Sequence, residues 1–150
     1  MPELFRLEHD FEAFPELSNS QMNLFYFQSP HKQILEDITV IVTKVHDGDT
    51  FKVKWSERDF EFTVRMLDID APELKKAGGK ESKEWLEARI LGETIDLKIS
   101  RNKRVGKWGR LLARVEHRGM DLGQESIRMG MAEPFGMNLN WKVPEVREWA

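Results

Sequence analysis

The chain has 150 residues, of which 40% are hydrophobic and 10% aromatic, so it can build the core of one ordinary domain and is not a disordered chain. It has no cysteine, which excludes disulfide bonds, thiolate metal sites and cysteine nucleophiles. The net charge of −3 divides into −5 over residues 1–37 and +2 over the remainder, so a mildly basic body follows an acidic leader.

Residues 1–37, here called the extension, differ from the rest of the chain. They contain six of the fifteen aromatic residues, with turn signals at Phe14-Pro15 and at residues 18–20. Leaving these rings in water would cost roughly 1.5–3 kcal/mol each relative to burial. We therefore expect the extension to pack on the rest of the protein, on a second copy or on another protein, with a flexible tail as the alternative. Its charge of −5 makes it a poor ligand for nucleic acid.

Strand patterns begin at Ile38. A β-branched run is followed by two segments in which apolar and polar side chains alternate, and these predict three strands over residues 38–45, 50–55 and 60–66. The short polar turns between them indicate an antiparallel meander. The alternation places Arg65 on the outward face of the third strand, where a structural residue would more naturally be threonine or lysine.

Helices and two more strands follow the meander. Pro72 ends any strand there. The next pattern predicts a helix over residues 80–91, with inward side chains Trp85, Ala88 and Ile90. Two further strands and a short second helix are predicted over residues 94–100, 111–116 and 122–129. Five strands with a helix after the third suit a closed OB-type β-barrel of the α+β class. We therefore predict a domain over residues 38–135 and a short C-terminal tail over residues 136–150.

Three polar segments contain residues suited to phosphodiester chemistry. They are Asp-Gly-Asp-Thr at 47–50, an arginine followed by Asp-Ile-Asp-Ala-Pro-Glu at 65–73, and Lys-Trp-Gly-Arg at 107–110. Taken singly, they can be a hairpin turn, a solvated turn and an exposed basic loop. Taken together, they combine carboxylates with paired guanidinium groups.

Five residues in these segments supply the chemistry. Asp49, Asp70 and Glu73 offer hard oxygen ligands, which suit Ca²⁺ or Mg²⁺ better than zinc. Arg65 and Arg110 can hold a phosphate through paired N–H groups and stabilise charge on its oxygens. Glu73, near a metal and a phosphate, is placed to take a proton from water.

In this order and spacing, the three segments resemble the staphylococcal nuclease (thermonuclease) family, an OB-fold group of calcium-dependent phosphodiesterases. The resemblance covers roughly residues 38–133 and includes a later segment from Gly119 to Gly130. It implies a hydrolase of the thermonuclease type that cleaves DNA, RNA or both with little sequence specificity. The implied products carry 3′-phosphate ends, and the implied cofactor is Ca²⁺.

The resemblance also implies a role for each matching position. The implied catalytic residues are Arg65, Glu73 as general base, and Arg110. The implied calcium ligands are the carboxylates of Asp49 and Asp70 and the backbone carbonyl of Ala71, where the family often has threonine. Asp47 is expected to shape the turn and orient Asp49. Lys107 and Trp108 are the expected substrate contacts, although Trp108 stands where the family commonly has tyrosine.

The alternative is a non-catalytic module of the same fold that binds nucleic acid or protein. Decayed copies of such a site usually lack one or more of the arginines or carboxylates, whereas this sequence has all of them. The expected substrate is DNA or RNA, with no membrane partner. No apolar run reaches the length of a membrane span and the first residues lack the features of a signal peptide, so we expect a cytoplasmic protein.

Overall fold

A closed β-barrel forms the body of the protein in the computed structural model, which describes residues 9–106 and 109–135. In chain order, the described strands are β1 (Ile38–Asp47), β2 (Thr50–Lys54), β3 (Phe62–Met66), β4 (Ile69–Asp70), β5 (Thr94–Lys98), β6 (Leu111–His117), β7 (Met120–Asp121) and β8 (Glu133–Pro134). Their order in the sheet is β3-β2-β1-β5-β6-β7, and a parallel pairing of β3 with β6 closes it. The predicted fold, a five-stranded OB-type barrel of the α+β class with an N-terminal extension, is confirmed.

Alternating side chains build the inside and outside of this barrel. Phe51 and Val53 of β2 and Val64 of β3 are fully buried, and they pack with inward residues from the other strands. The polar residues between them, including Lys52 and Arg65, lie on the outer face. Five strands were predicted, and the observed ends of the corresponding β1, β2, β3, β5 and β6 lie within two residues of the predicted ones. The short strands β4, β7 and β8 were not predicted.

The helices are α1 (Asn19–Phe25), α2 (Gly79–Ile90) and α3 (Leu122–Arg128). The first begins with a capping box in which Ser18 and Gln21 bond each other's backbone N–H groups. In α3, the Asp121 side chain accepts from the Gln124 N–H at 3.0 Å, and Gly130, at φ 76°, lies just beyond its end. No helix of the described residues is long and apolar enough to cross a membrane.

The helix α2 packs on the barrel through Ser82, Leu86 and Ile90. The prediction of Ile90 as an inward residue is confirmed, and Trp85 is partly buried against the core. The prediction for Ala88 is wrong, because this residue is exposed and Leu86 fills the core instead.

The described part of the extension, residues 9–37, lies against the barrel. Leu17 and Ile34 are buried, and Ile34 belongs to the same core cluster as the strands. The burial of Leu17 and Ile34 therefore supports the expected packing of the extension on the rest of the protein. The division into extension, domain and tail stays a prediction, and the tail over residues 136–150 lies outside the described residues.

A buried ionic cluster joins the extension to the barrel. The Glu16 carboxylate accepts from Arg58 and, at 2.9 Å, from Arg104. The guanidinium of Arg58 also lies near three aromatic rings, with its Cζ atom 4.7 Å from the ring centre of Phe62. Two arginines that local sequence assigns to a polar turn and to an exposed loop are therefore buried, because a carboxylate from the extension compensates their charge.

Candidate active site

The turn between β1 and β2 presents Asp49. The Asp49 N–H donates to Asp47 Oδ1 at 3.1 Å, which confirms the expected turn-shaping role of Asp47. Gly48 is needed for space, since a Cβ atom there would lie 1.9 Å from Ser82 Oγ and 2.7 Å from the Ala71 side chain. The Asp49 carbonyl accepts from the Met66 N–H at 2.8 Å, so the turn is held on both sides.

The Asp49 carboxylate is nearly enclosed, with 7% of its side chain exposed. Its Oδ2 accepts from the Ala71 N–H at 2.9 Å, and its Oδ1 accepts from Thr50 Oγ1 at 3.1 Å. Burial raises the pKa of Asp49 to about 6, against the lowering effect of the Ala71 hydrogen bond and the positive charge of Arg65. A cation beside this carboxylate would relieve the cost of burying its charge.

Arg65 on β3 is fixed by four oxygen atoms. Its Nη1 donates to the carbonyls of Met66 at 2.7 Å and Ile69 at 3.0 Å. Its Nη2 lies 3.2 Å from Asp49 Oδ2 and 3.4 Å from Asp70 Oδ1. A turn with Asp68 at φ 69° brings β4 back toward this guanidinium. The side chain is therefore held in place before any ligand binds.

The two carboxylates Asp49 and Asp70 converge, because both lie close to the same nitrogen of Arg65. Asp70 is 60% exposed and pairs with Glu133 in a short two-stranded sheet of β4 and β8. Within residues 9–106 and 109–135, no three His, Cys, Asp or Glu side chains form a metal-binding group. The donor chemistry of the two carboxylates nevertheless fits a hard divalent cation, and the Ala71 carbonyl is the third expected oxygen.

Arg110 immediately precedes β6, the strand that pairs with the strand of Arg65. The parallel register pairs Arg65 with Leu112, so these two side chains point to one side of the sheet. Arg110 lies before the first residue of β6, and it lines a cavity of about 360 Å³ together with Thr63, Lys52 and Glu16, whereas Arg65 is not among the residues that line this cavity. The closing pair of strands thus brings the backbone of Arg110 next to the strand that carries Arg65.

Among the described residues, no hydrogen bond or ion pair joins the Glu73 side chain to Asp49, Arg65 or Asp70. Glu73 lies in the loop between β4 and α2, where its carbonyl accepts from the Lys76 N–H at 2.8 Å. Its carboxylate is exposed and makes no hydrogen bond or ion pair with a described residue. Lys107 and Trp108 lie outside the described residues. The roles of these three residues stay predictions.

The aromatic ring of Phe135 lies beside Arg65, a contact that the spacing of the two residues in the sequence does not predict. The Cζ atom of Arg65 lies 5.6 Å from its ring centre, which is a cation–π distance. The Phe135 N–H donates to the Asp68 carbonyl at 3.0 Å, so the backbone beyond β8 is anchored beside Arg65. No spacing in the sequence links residues 65 and 135, because the contact depends on the pairing of β4 with β8.

Comparison with known proteins adds the family. The family model described as staphylococcal nuclease homologue matches residues 63–143, more than half of the chain. Similar proteins include one from Escherichia coli O157:H7 named uncharacterized endonuclease, which is 33% identical over 110 residues, 73% of this chain and 67% of that protein. Another protein of that name, from Haemophilus influenzae, is 32% identical over 97 residues, 65% of this chain and 52% of that protein. Endonuclease YncB of Bacillus subtilis is 29% identical over 111 residues, 69% of this chain and 52% of that protein.

The chain belongs to the staphylococcal nuclease homologue family.

Proposed function

We propose that this chain is a calcium-dependent nuclease that hydrolyses phosphodiester bonds of DNA, RNA or both and leaves 3′-phosphate ends. The observation that carries the proposal is the convergence of Asp49 and Asp70 on Arg65, with Arg110 immediately before β6, the strand that pairs with β3. Membership of the family and the endonuclease names of its relatives support the reaction class.

Arg65 and Arg110 bind the scissile phosphate in this proposal. The carbonyls that hold Arg65 Nη1 fix its orientation in advance, so little reorganisation accompanies the development of charge on the phosphate oxygens. Both arginines address the phosphate and not the bases, which accounts for cleavage with little sequence specificity. Lys107 and Trp108 remain the expected contacts to the flanking substrate.

The oxygens of Asp49, Asp70 and Ala71 would hold the calcium ion. When bound, such an ion supplies positive charge that offsets the carboxylates and the developing charge on the phosphate. The Asp49 carboxylate is already oriented by hydrogen bonds from the Ala71 N–H and the Thr50 hydroxyl. Asp70 is exposed and can adjust its position.

Glu73 acts as the general base. Its exposed carboxylate takes a proton from the attacking water, a P–O bond forms to that water oxygen, and the bond to the 5′ oxygen breaks. The departing 5′ oxygen takes a proton from solvent, so the other product strand ends in a 3′-phosphate. The loop that carries Glu73 is anchored on α2, since a Cβ atom at Gly79 would lie 2.0 Å from the Glu73 carbonyl oxygen.

The decisive experiment incubates the purified protein with single-stranded DNA and with RNA, in calcium, in magnesium and in chelator. We expect cleavage in calcium, none in chelator, and products whose new 3′ ends become extendable only after phosphatase treatment. Full activity in chelator would refute the metal dependence, and a zinc requirement would contradict the hard-oxygen assignment.

A non-catalytic module that binds nucleic acid or protein is the second candidate. One observation favours it: the Glu73 carboxylate makes no hydrogen bond or ion pair with Asp49, Arg65 or Asp70. Binding of single-stranded DNA without cleavage in any of the cations would support this candidate against the nuclease.

A further inference from the structure

The loop between β5 and β6 carries Arg110 and folds back on itself. Its last part, residues 104–110, is closed by two backbone hydrogen bonds. The Leu112 N–H donates to the Arg104 carbonyl at 2.8 Å, and the Gly106 N–H donates to the Arg110 carbonyl at 2.9 Å. The position of Arg110 therefore depends on the position of Arg104.

The extension holds the side chain of Arg104. Only 1% of that side chain is exposed. Its Nε donates to the Ile34 carbonyl, its Nη1 to the Leu17 carbonyl, each at 2.8 Å, and its Nη2 to Glu16 Oε1 at 2.9 Å. A buried guanidinium without these acceptors would carry a large desolvation cost, so Glu16 is the group that lets Arg104 stay inside.

Two more contacts link the same stretch of the extension to the loop. The Asn19 Nδ2 donates to the Arg101 carbonyl at 2.6 Å. The ring of Phe14 lies against Gly109, where a Cβ atom would come within 2.5 Å of Phe14 Cδ1. Residues 14–19 thus touch the loop at its start, at Arg104 and next to Arg110.

We propose that residues 14–19 position Arg110 for the reaction, with Glu16 as the main positioning residue acting through Arg104. This inference rests on the proposed nuclease function, in which Arg110 binds the phosphate. Glu16 does not touch the substrate. Its contribution is the geometry of the loop, and a displacement of about 1 Å at a reacting group can lower turnover by about 10²-fold.

The test uses full-length variants in the single-stranded DNA assay. Glu16→Gln keeps the shape of the side chain and removes its charge, and Phe14→Ala removes the packing on Gly109. Phe27→Ala is the matched control, since Phe27 belongs to the same extension, is 97% exposed and has a ring contact only with Tyr26 among the described aromatic residues. All three are assayed below their melting temperatures.

We expect kcat to fall by about 100-fold in Glu16→Gln and by about tenfold in Phe14→Ala, with KM changing less than threefold. Phe27→Ala should keep kcat within about twofold of the wild type. Phe14→Ala should have no further effect when Arg110→Lys is already present, because both changes would act on one group. A merely structural role for Phe14 would not produce this dependence on Arg110.

Amide hydrogen exchange gives a readout that does not need activity. The N–H groups of Leu112 and Gly106 should exchange faster in both extension variants, whereas that of Val42, which bonds the Glu93 carbonyl between β1 and β5, should keep its wild-type rate. If Glu16→Gln does not fold, Phe14→Ala decides the test alone.

Failure of the positioning role and failure of the nuclease function give different outcomes. If the wild type cleaves and the folded variants retain its kcat, the positioning role is refuted while the nuclease function stands. If the wild type does not cleave DNA in any of the cations tested, the proposed function fails, and with it the catalytic role of the extension. The exchange rates of the Leu112 and Gly106 N–H groups in the extension variants then decide whether the extension orders the loop. Rates equal to those of the wild type refute this, and faster rates support it.

Discussion

Replacing Asp49 by asparagine should stabilise the metal-free protein at neutral pH. Burial raises the pKa of this carboxyl from 3.8 to about 6 in the folded protein. Below pH 3.8 this carboxyl is protonated in both the folded and the unfolded chain, so it does not change the free energy of unfolding. As the pH rises toward 6, the unfolded chain ionises first, which favours unfolding. Above pH 6 both forms are ionised and the full penalty remains.

The size of the penalty follows from the pKa. One pKa unit corresponds to about 1.36 kcal/mol, so the rise from 3.8 to about 6 costs about 3 kcal/mol of folding free energy at pH 7. Asparagine cannot ionise, and its side-chain oxygen can still accept the Ala71 N–H. We therefore expect Asp49→Asn to unfold with a free energy up to about 3 kcal/mol higher than the wild type at pH 7, and with little difference near pH 4.

Chemical unfolding in chelator between pH 4 and pH 8 measures this difference. Asp70→Asn is the matched control, because its carboxylate is exposed and its replacement should change stability little at any of these pH values. An Asp49→Asn variant no more stable than the wild type at pH 7, or a difference independent of pH, would refute the reasoning. Calcium at a hundredfold excess over its Kd should then stabilise the wild type by about 2.7 kcal/mol and the variant by less.

Three further predictions concern the arginines, the base and the extension. Arg65→Lys and Arg110→Lys should each lower kcat by roughly 10²–10³-fold. The ammonium group of lysine cannot make the paired, preoriented hydrogen bonds that a guanidinium group makes to a phosphate. The control Arg114→Lys, on the exposed part of β6, should keep turnover, and near-normal turnover in either test variant would remove that arginine from the site. Glu73→Gln should abolish most hydrolysis but retain binding measured by fluorescence anisotropy. Equal loss of both would mark Glu73 as a metal ligand instead. Deleting residues 1–37 should lower the melting temperature or cause aggregation, since it leaves two buried arginines without their carboxylate, at a cost on the order of 3–5 kcal/mol. A fragment that equals the full chain in Tm and in mass by light scattering would contradict this.

Local patterns were sufficient to predict the barrel. The alternation of Phe51, Val53 and Val64 with polar neighbours is complete within each strand, so no distant contact is needed to recognise it. The prediction for α2 was less accurate on its buried side, where Leu86 and not Ala88 reaches the core. A helix with charged residues on most sides gives only a weak signal for its inward face.

The buried charges could not be predicted in this way. Glu16 is 42 residues from Arg58 and 88 residues from Arg104 in the chain. Each of these residues alone has the sequence environment of a solvated turn or loop, and only the folded contact reveals that it is buried. The convergence of Asp49 and Asp70 on Arg65 agrees with the grouping that the family resemblance implied, whereas the isolated position of Glu73 could not be read from spacing.

The pairing of β3 with β6 also has a consequence for the order in which the proposed site forms during synthesis of the chain. Arg65 belongs to β3 and Arg110 immediately precedes β6, and these strands are joined in register only at residues 64–66 and 111–113. A nascent chain that has not yet exposed β6 to solvent outside the ribosome lacks one half of this seam. In the proposed mechanism such a chain could not bring both guanidinium groups to one phosphate, so the site would stay incomplete until the barrel closes.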